Sequence, residues 1–279
     1  MQLTTSVNNK ICLALVDWRL SVCGADAVRV CAEHRVDALQ LDFGGPGRAP
    51  CLDDVRRQDA IMAACDEYGV NITALAGNQL NEAGLGLPHD SAGRLALQKI
   101  MISMLDLAKR FSASLVFFPS FYRGLIRDQE TLGRTARMLA WACREARDRG
   151  LIIGNENDLS IAWARQLAAE VNAENFRLIF DSYNPVKAGH KTIEMLEQMS
   201  GCFASQVHIK DGIGSQDGKI RLGSGEGNIR AILARLVKTD WVERYVIEND
   251  YRDGELQRLA DDITWLHSCL ASEQERRIN

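Results

Sequence analysis

Residues 151–184 read LIIGNENDLSIAWARQLAAEVNAENFRLIFDSYN, and this stretch contains one complete strand–helix–strand unit. Its two short apolar runs, Leu151–Asn155 and Phe176–Phe180, are typical of strands that are covered on both faces. Between them, Ala162–Val171 has helical periodicity. Each apolar run is followed directly by acidic side chains, so the unit predicts both an architecture and a place for chemistry.

The same unit recurs along the chain. The other predicted strands are Ile11–Val16, Ala38–Phe43, Val70–Leu75, Ser114–Phe118, Phe203–Lys210 and Arg244–Ile247. The other predicted helices are Asp26–His34, Val55–Tyr68, Ala92–Phe111, Thr131–Arg149, Thr192–Met199, Ile229–Val237 and Leu256–Leu270. Eight alternating pairs of roughly 30 residues predict an α/β fold, a single (β/α)8 TIM barrel. A doubly wound sheet is the alternative, but its glycine fingerprint is missing after the first strand.

The composition is that of one ordinary globular domain. Hydrophobic residues make up 46% and charged residues 25% of the chain, which is close to the average for such proteins. Because no linker or composition shift divides the chain, we expect residues 1–279 to form one domain, with residues 271–279 as a polar tail. The net charge of −4 does not favour nucleic acid as a partner.

The sequence also predicts a compartment. No apolar stretch approaches the ~20 residues of a membrane span, and the first residues lack the pattern of a signal peptide. The eight cysteines are scattered without a CxxC pair, which argues against a zinc ribbon and against a disulfide scaffold. We therefore expect reduced thiols, no membrane partner and a cytoplasmic location.

Four consecutive predicted strands end in potential metal ligands, which are Glu156, Asp181, His208 and Glu248. Barrel chemistry lies at the carboxyl ends of the strands, and neighbouring strands are only ~4.8 Å apart. Three carboxylates there would repel one another, and a divalent cation removes that repulsion. Oxygen-rich ligands with one imidazole suit Mn²⁺, Mg²⁺, Co²⁺ or Fe²⁺ better than they suit a structural zinc site. Mn²⁺ is our first choice, and Zn²⁺ is a further alternative.

Other acidic and glycine residues have simpler interpretations. We expect Asp158 and Asp211 to be helix N-caps or solvated loop charges. The glycine-rich stretch Gly223–Gly227 is either a cradle for an anion or a tight turn. Glu226 would oppose an anion, and no Lys-Ser/Thr pair follows as in a P-loop. We therefore favour a turn with Asn228 as the N-cap of the next helix.

At these residues the chain resembles the xylose-isomerase-like TIM-barrel superfamily. The resemblance is closest to its sugar phosphate isomerase/epimerase branch, which includes ketose 3-epimerases, hydroxypyruvate isomerase and inosose dehydratase. It is carried by FDSYN (180–184), VHIKD (207–211), LGSGEGNI (222–229) and IEN (247–249). It implies that the four residues above bind the metal and that the two glutamates, Glu156 and Glu248, move the proton. It also implies a homo-oligomer, a dimer or a tetramer.

Four further residues are candidate substrate contacts. Many relatives carry a histidine where this chain has Asn184, which donates a hydrogen bond but does not accept a full proton near neutral pH. Lys210 is either a substrate or transition-state contact or the partner of a neighbouring carboxylate. Arg221 is a possible contact from the glycine-rich loop. Trp18 forms either a hydrophobic wall for a sugar face or part of the core.

This set of residues predicts metal-assisted proton abstraction next to a carbonyl. The metal would stabilise an enediolate, and Glu156 and Glu248 would exchange protons with it. We therefore expect an isomerase or epimerase acting on a small carbohydrate or sugar-like keto compound. The sequence does not decide whether the enediolate leads to epimerisation, to aldose–ketose isomerisation or to dehydration. Alternatives are a lyase of the inosose or dehydroshikimate dehydratase type or a hydrolase on the same site, and a non-catalytic binding subunit.

Overall fold

The computed structural model describes residues 11–278. The strands are β1 (Leu13–Val16), β2 (Ala38–Asp42), β3 (Asn71–Ala76), β4 (Leu115–Pro119), β5 (Ile152–Glu156), β6 (Phe176–Leu178), β7 (Gln206–Ile209) and β8 (Arg244–Ile247). The helices are α1 (Ala25–Glu33), α2 (Val55–Tyr68), α3 (Leu80–Ala83), α4 (Ala92–Arg110), α5 (Gln129–Arg147), α6 (Ile161–Val171), α7 (Asn184–Lys187), α8 (Thr192–Met199), α9 (Ile229–Leu236) and α10 (Leu256–Ile278). The predicted single (β/α)8 barrel is confirmed. The N-terminal residues for which no signal peptide is expected lie outside the described residues.

All strand pairs are parallel, in the order β6-β5-β4-β3-β2-β1-β8-β7. Isolated bridges between Leu178 and Phe203 and between Asp181 and His208 join the two end strands. The His208 N–H donates to the Phe180 carbonyl at 2.8 Å. The sixth strand was predicted to extend to Phe180 but ends at Leu178, and the irregular segment that follows brings Asp181 beside His208.

The barrel interior is filled by small and aromatic side chains. Ala14, Val16, Ala38 and Val246 pack with Trp18. A second interior cluster contains Ala74, Ala76, Leu115, Phe117, Ile179 and Ala204. Gly154 lies between two of these residues, and a Cβ there would come within 2.6 Å of Phe117 and 2.8 Å of Ile179. Glycine is therefore required in β5 immediately before the site.

The helix ends agree with elementary capping chemistry. Gly69 ends α2 in the left-handed conformation, directly after the predicted last residue Tyr68, and its N–H donates to the Cys65 carbonyl. The Asp128 side chain accepts from the Thr131 N–H and begins α5 two residues before its predicted start. Residues 271–278, predicted to be a polar tail, continue α10 to Ile278. None of the helices in residues 11–278 is long and apolar enough to cross a membrane.

Candidate active site

Glu156, Asp181, His208 and Glu248 converge at the carboxyl end of the barrel. One ligand atom from each lies within 4.8 Å of the others, and all four residues are buried. Glu156 is the last residue of β5 and Glu248 directly follows β8, so their carboxylates come from strands that two others separate. The predicted ligand set is thus assembled by the fold.

A chain of buried amides fixes the orientation of His208. The register of β2 and β3 shifts so that Thr73 has no Cα partner in β2, and its carbonyl accepts the Gln206 Nε2–H at 3.0 Å. Gln206 Oε1 then accepts from Gln40 Nε2 at 3.0 Å, and Gln40 Oε1 lies 3.0 Å from His208 Nε2. The Thr73 carbonyl can only accept a hydrogen bond, and this fixes the direction of each following bond between the side chains. Nε2 of His208 must therefore be the protonated nitrogen.

Two ligand atoms of the cluster have no hydrogen-bond partner. They are His208 Nδ1 and Asp181 Oδ2, both fully buried. The Nδ1 atom lies 3.5 Å from a Glu248 oxygen and 3.8 Å from a Glu156 oxygen. Buried polar atoms without partners are rare, and a neutral imidazole nitrogen beside three carboxylates is a usual donor set for a divalent cation. These residues fit a metal ion.

The electrostatics of the cluster point the same way. Burial alone would lower the pKa of His208, but Glu156 and Glu248 outweigh burial and raise it to about 10. Burial raises the pKa of Asp181 to about 6; the neighbouring glutamates add to this rise and Lys210 opposes it. Lys210 already places one positive charge beside these carboxylates, and a proton on His208 or a divalent cation would supply a second.

Lys210 and Asn184 link the glutamates. The Lys210 ammonium donates to Asn184 Oδ1 at 3.0 Å and to Glu248 Oε2 at 3.1 Å, and lies 3.5 Å from Asp181. Asn184 Nδ2 donates to Glu156 Oε1 at 2.9 Å. Of the two roles considered for Lys210, the carboxylate partner is the one that the structure shows, and its ammonium also faces the cavity.

Trp18 has a role that sequence did not predict. Its indole N–H donates to Glu248 Oε1 at 2.9 Å. Its ring packs edge-on against Phe117, with centroids 6.0 Å apart, and one side of it lines the cavity. Trp18 therefore orients Glu248, and of the two positions expected for it, cavity wall and core, it occupies both, since its ring also packs against the interior clusters.

Arg221 and Asp211 require corrections. Arg221 does not line the cavity, because its guanidinium is exposed and pairs with Asp261 at 2.7 Å. Asp211 is neither an N-cap nor solvated. It is fully buried, and its carboxylate accepts backbone N–H bonds from Gly212, Gly223, Gly225 and Gly227 at 2.9–3.0 Å.

The glycine-rich loop is therefore occupied by the protein's own anion. Its N–H groups surround the Asp211 carboxylate, which is why this loop is not available for phosphate. Asn228 occupies the N-cap position of α9, as predicted, although its side chain makes no capping bond. Asp158 lies at the cavity wall instead of capping α6, whose N-cap is Ser160.

A cavity of about 360 Å³ opens above the cluster. Sequence analysis missed several of the charged residues that line it, namely Arg19, Arg48, Lys187, Asp217 and Arg252. They lie in the segments that follow β1, β2, β6, β7 and β8, where the only signal of a role in the sequence is the position after a strand end. Gln40 and Gln206 were missed too, although a polar residue inside an apolar strand is a visible signal.

The chain belongs to the xylose isomerase-like TIM barrel family, whose model matches residues 28–269. It is 38% identical over 264 residues to the 2-epi-5-epi-valiolone 7-phosphate 2-epimerase of Actinoplanes sp. strain SE50/110, covering 94% of this chain and 96% of that relative.

Solved structures resemble the whole barrel. L-ribulose 3-epimerase superimposes with a TM-score of 0.74 at 14% identity, covering 96% of this chain and 97% of that one. The IolI protein, solved with a zinc atom, gives a TM-score of 0.76 at 16% identity. The match covers 94% of this chain and 99% of that one. At these identities the likeness supports the fold alone, which agrees with the resemblance found in the sequence.

Proposed function

We propose that this protein is a divalent-metal-dependent epimerase that inverts the carbon next to a carbonyl in a polyhydroxylated ketone. The observation that carries the proposal is the placement of two glutamates, Glu156 and Glu248, in one buried four-ligand cluster, on strands that two others separate. The epimerase relative at 38% identity supports the same chemistry. We propose Mn²⁺ as the metal; the zinc atom in IolI makes Zn²⁺ the first alternative.

The chemistry of the ion is simple. Held by Glu156, Asp181, His208 and Glu248, a divalent cation would polarise the ketone oxygen and acidify the neighbouring C–H bond.

The protein's own residues then do the rest. One glutamate removes the proton from one face of the substrate carbon, and the other returns a proton to the opposite face. Through their hydrogen bonds, Asn184 and Lys210 fix the positions of these two carboxylates relative to each other. Lys210 and Trp18 keep Glu248 oriented as a proton acceptor. Return of the proton to the same carbon from the other side inverts that carbon, which is epimerisation.

The test is deuterium incorporation. The purified protein is incubated in D₂O with Mn²⁺ and each of several ketones, including 2-epi-5-epi-valiolone 7-phosphate, the compound in the relative's name. After removal of the metal on a chelating resin, ¹H NMR is expected to show deuterium next to the carbonyl and an epimeric product. Glu248→Gln should slow the exchange roughly 100-fold or more, the usual contribution of a positioned proton donor or acceptor.

Glu170→Gln, an exposed substitution on α6, is the matched control and should exchange at the wild-type rate. Loss of water from the substrate would instead identify a dehydratase, and exchange at the neighbouring carbon an isomerase. Absence of exchange with every ketone, from protein shown to contain metal, would contradict the proposal and favour a hydrolase or lyase.

A further inference from the structure

Two arginines that line the cavity, Arg19 and Arg48, have hydrogen-bond donors that no acceptor in the described residues uses. The Arg19 guanidinium lies 4.0 Å from an Asp217 oxygen and 3.9 Å from an Asp250 oxygen, and that of Arg48 lies 3.6 Å from Asp42. All three separations exceed a hydrogen bond. In the part of the chain that the structure describes, neither guanidinium donates a hydrogen bond to the protein. The side chains are nevertheless only 18% and 27% exposed.

The neighbouring cations are engaged by the same carboxylates. Arg252 donates Nε and Nη2 to the two oxygens of Asp250 at 2.7 and 2.6 Å. Lys187 donates to Asp217 Oδ2 at 2.6 Å. Asp217 and Asp250 therefore attract Arg19 by charge, while the hydrogen bonds that they accept come from Lys187 and Arg252. Arg19 lines the cavity, and its N–H groups are left without a hydrogen-bond acceptor among the described residues.

The tight loop after β2 fixes the position of Arg48. Its N–H donates to the Gly45 carbonyl at 3.0 Å, and Gly45 in turn bonds the Ala49 carbonyl. Gly44 has a φ of +81°, and a Cβ there would lie 2.6 Å from two backbone oxygens. This tight loop after β2 places the guanidinium at the cavity beside Trp18, which also lines it.

We propose that Arg19 and Arg48 together bind a phosphate monoester on the substrate. The planar guanidinium fork matches phosphate oxygens two at a time, and two such forks without protein acceptors offer the donors that a phosphate dianion needs. This inference rests on the proposed function and deepens it, because it makes the substrate a phosphorylated polyhydroxy ketone. The metal-ligand cluster would take the carbonyl end and the arginine pair the phosphate end.

The test measures binding of inorganic phosphate by isothermal titration calorimetry, without turnover. The protein is used both loaded with Mn²⁺ and after chelation, so that phosphate on the metal is separated from phosphate on the arginines. Saturable binding is expected in both states, about tenfold or more weaker in Arg19→Gln and in Arg48→Gln. Arg221→Gln, which removes an exposed arginine outside the cavity, should bind like the wild type. Thermal unfolding of each variant verifies folding, and Arg48→Gln provides a second readout should Arg19→Gln misfold.

Each outcome decides the inference. Three results would overturn it and assign these donors to substrate hydroxyls: no saturable phosphate binding, binding only in the metal-loaded state, or binding by both arginine variants as tight as by the wild type. Tenfold losses in both variants would support it. Because the titration needs no proton exchange, phosphate binding without deuterium incorporation would leave the arginine site standing while the epimerase proposal fails. Deuterium incorporation without phosphate binding would leave the epimerase proposal standing while the arginine site fails.

Discussion

His208 presents Nδ1 to the metal-ligand cluster because Gln40 accepts the proton of its other ring nitrogen. The direction of that bond is set by the Thr73 carbonyl, which is connected to Gln40 through the hydrogen bonds of Gln206. All of these side chains except Thr73 are buried in the barrel interior. A residue that contacts neither metal nor substrate thus decides which nitrogen is available as a ligand.

Gln40→Leu should weaken metal binding. Without the acceptor at Nε2, the ring loses its fixed tautomer and orientation, and outer partners of ligating histidines typically contribute 10- to 100-fold in affinity. The measurement is competition of the protein with a chromogenic chelator for Zn²⁺. Gln257→Leu, an exposed glutamine bonded to Asp261, should leave the affinity unchanged. An unchanged affinity in Gln40→Leu would mean that the amide chain does not orient His208.

Asp17 gives the stability of the protein a pH dependence. Its carboxylate is buried at the end of β1 and accepts the Asp42 N–H at 2.8 Å and the Gly24 N–H at 3.3 Å. Burial raises the pKa of Asp17 from 3.8 to about 7; the two backbone bonds oppose this rise and the Asp42 charge adds to it. The folded chain therefore holds a proton that the unfolded chain has released between about pH 4 and pH 7.

Stability should consequently fall as pH rises through this window. By linkage, the contribution of Asp17 to the free energy of unfolding should drop by about 2 kcal/mol between pH 5 and pH 7. Urea unfolding of the wild type and of Asp17→Asn at both pH values tests this, since other titrating groups cancel in the difference. Asp26→Asn, an exposed carboxylate, is the control. Equal pH dependence in the wild type and Asp17→Asn would count against the assignment.

At the scale of elements, the loop after β7 is organised around one carboxylate. Asp211 binds four glycine N–H groups of residues 212–227. Side chains are excluded there, since a Cβ at Gly227 would lie 2.8 Å from Asp211 Oδ1. A Cβ at Gly212 would meet the ring of Tyr183, which follows the ligand Asp181. The loop therefore supports the ligand segment after β6.

Asp211→Ala should destabilise the protein by roughly 3 kcal/mol or more. The substitution leaves buried N–H groups without an acceptor, and each such loss costs about 1–3 kcal/mol. The free energy of unfolding is measured in urea. Asp66→Asn on α2 is exposed and should change stability by less than about 0.5 kcal/mol. A similarly small effect of Asp211→Ala would contradict a structural role for this carboxylate.

Periodicity and strand-end chemistry predicted the eight units and the convergence of Glu156, Asp181, His208 and Glu248, because both depend on local pattern. Leu256–Leu270 was predicted to end where the apolar stripe weakens, yet α10 continues to Ile278. The short helices α3 and α7 were missed because four residues are too few to show a helical period of hydrophobic residues. Asp211 was misjudged because a buried carboxylate and a solvated one look alike in sequence. Partners such as Arg19 and Gln40 depend on contacts between distant strands, which no single sequence displays.

At the scale of the whole molecule, the barrel has one irregular seam. Seven strand pairs form ladders, whereas in the described chain the segments of β6 and β7 meet at isolated bridges and backbone hydrogen bonds. Asp181 and His208 form one of those bridges, and their side chains belong to the ligand cluster. The homo-oligomer that we expect from the family resemblance remains a prediction, which light scattering after size exclusion tests.

Because the seam passes through the ligand cluster, a bound metal should stabilise the entire barrel. A cation that ties residues of β5 and β8 to Asp181 and His208 binds the folded state alone. At a free concentration 100 times Kd it adds about 2.7 kcal/mol to the free energy of unfolding, which should raise Tm by several degrees for a domain of this size. Thermal unfolding with Mn²⁺ and after chelation measures the shift. Asp181→Asn should lose most of it, while Asp66→Asn should keep it. A wild-type Tm that is the same with and without metal would mean that the four residues hold no ion at the seam, and the metal-dependent epimerase proposal would then lose its basis.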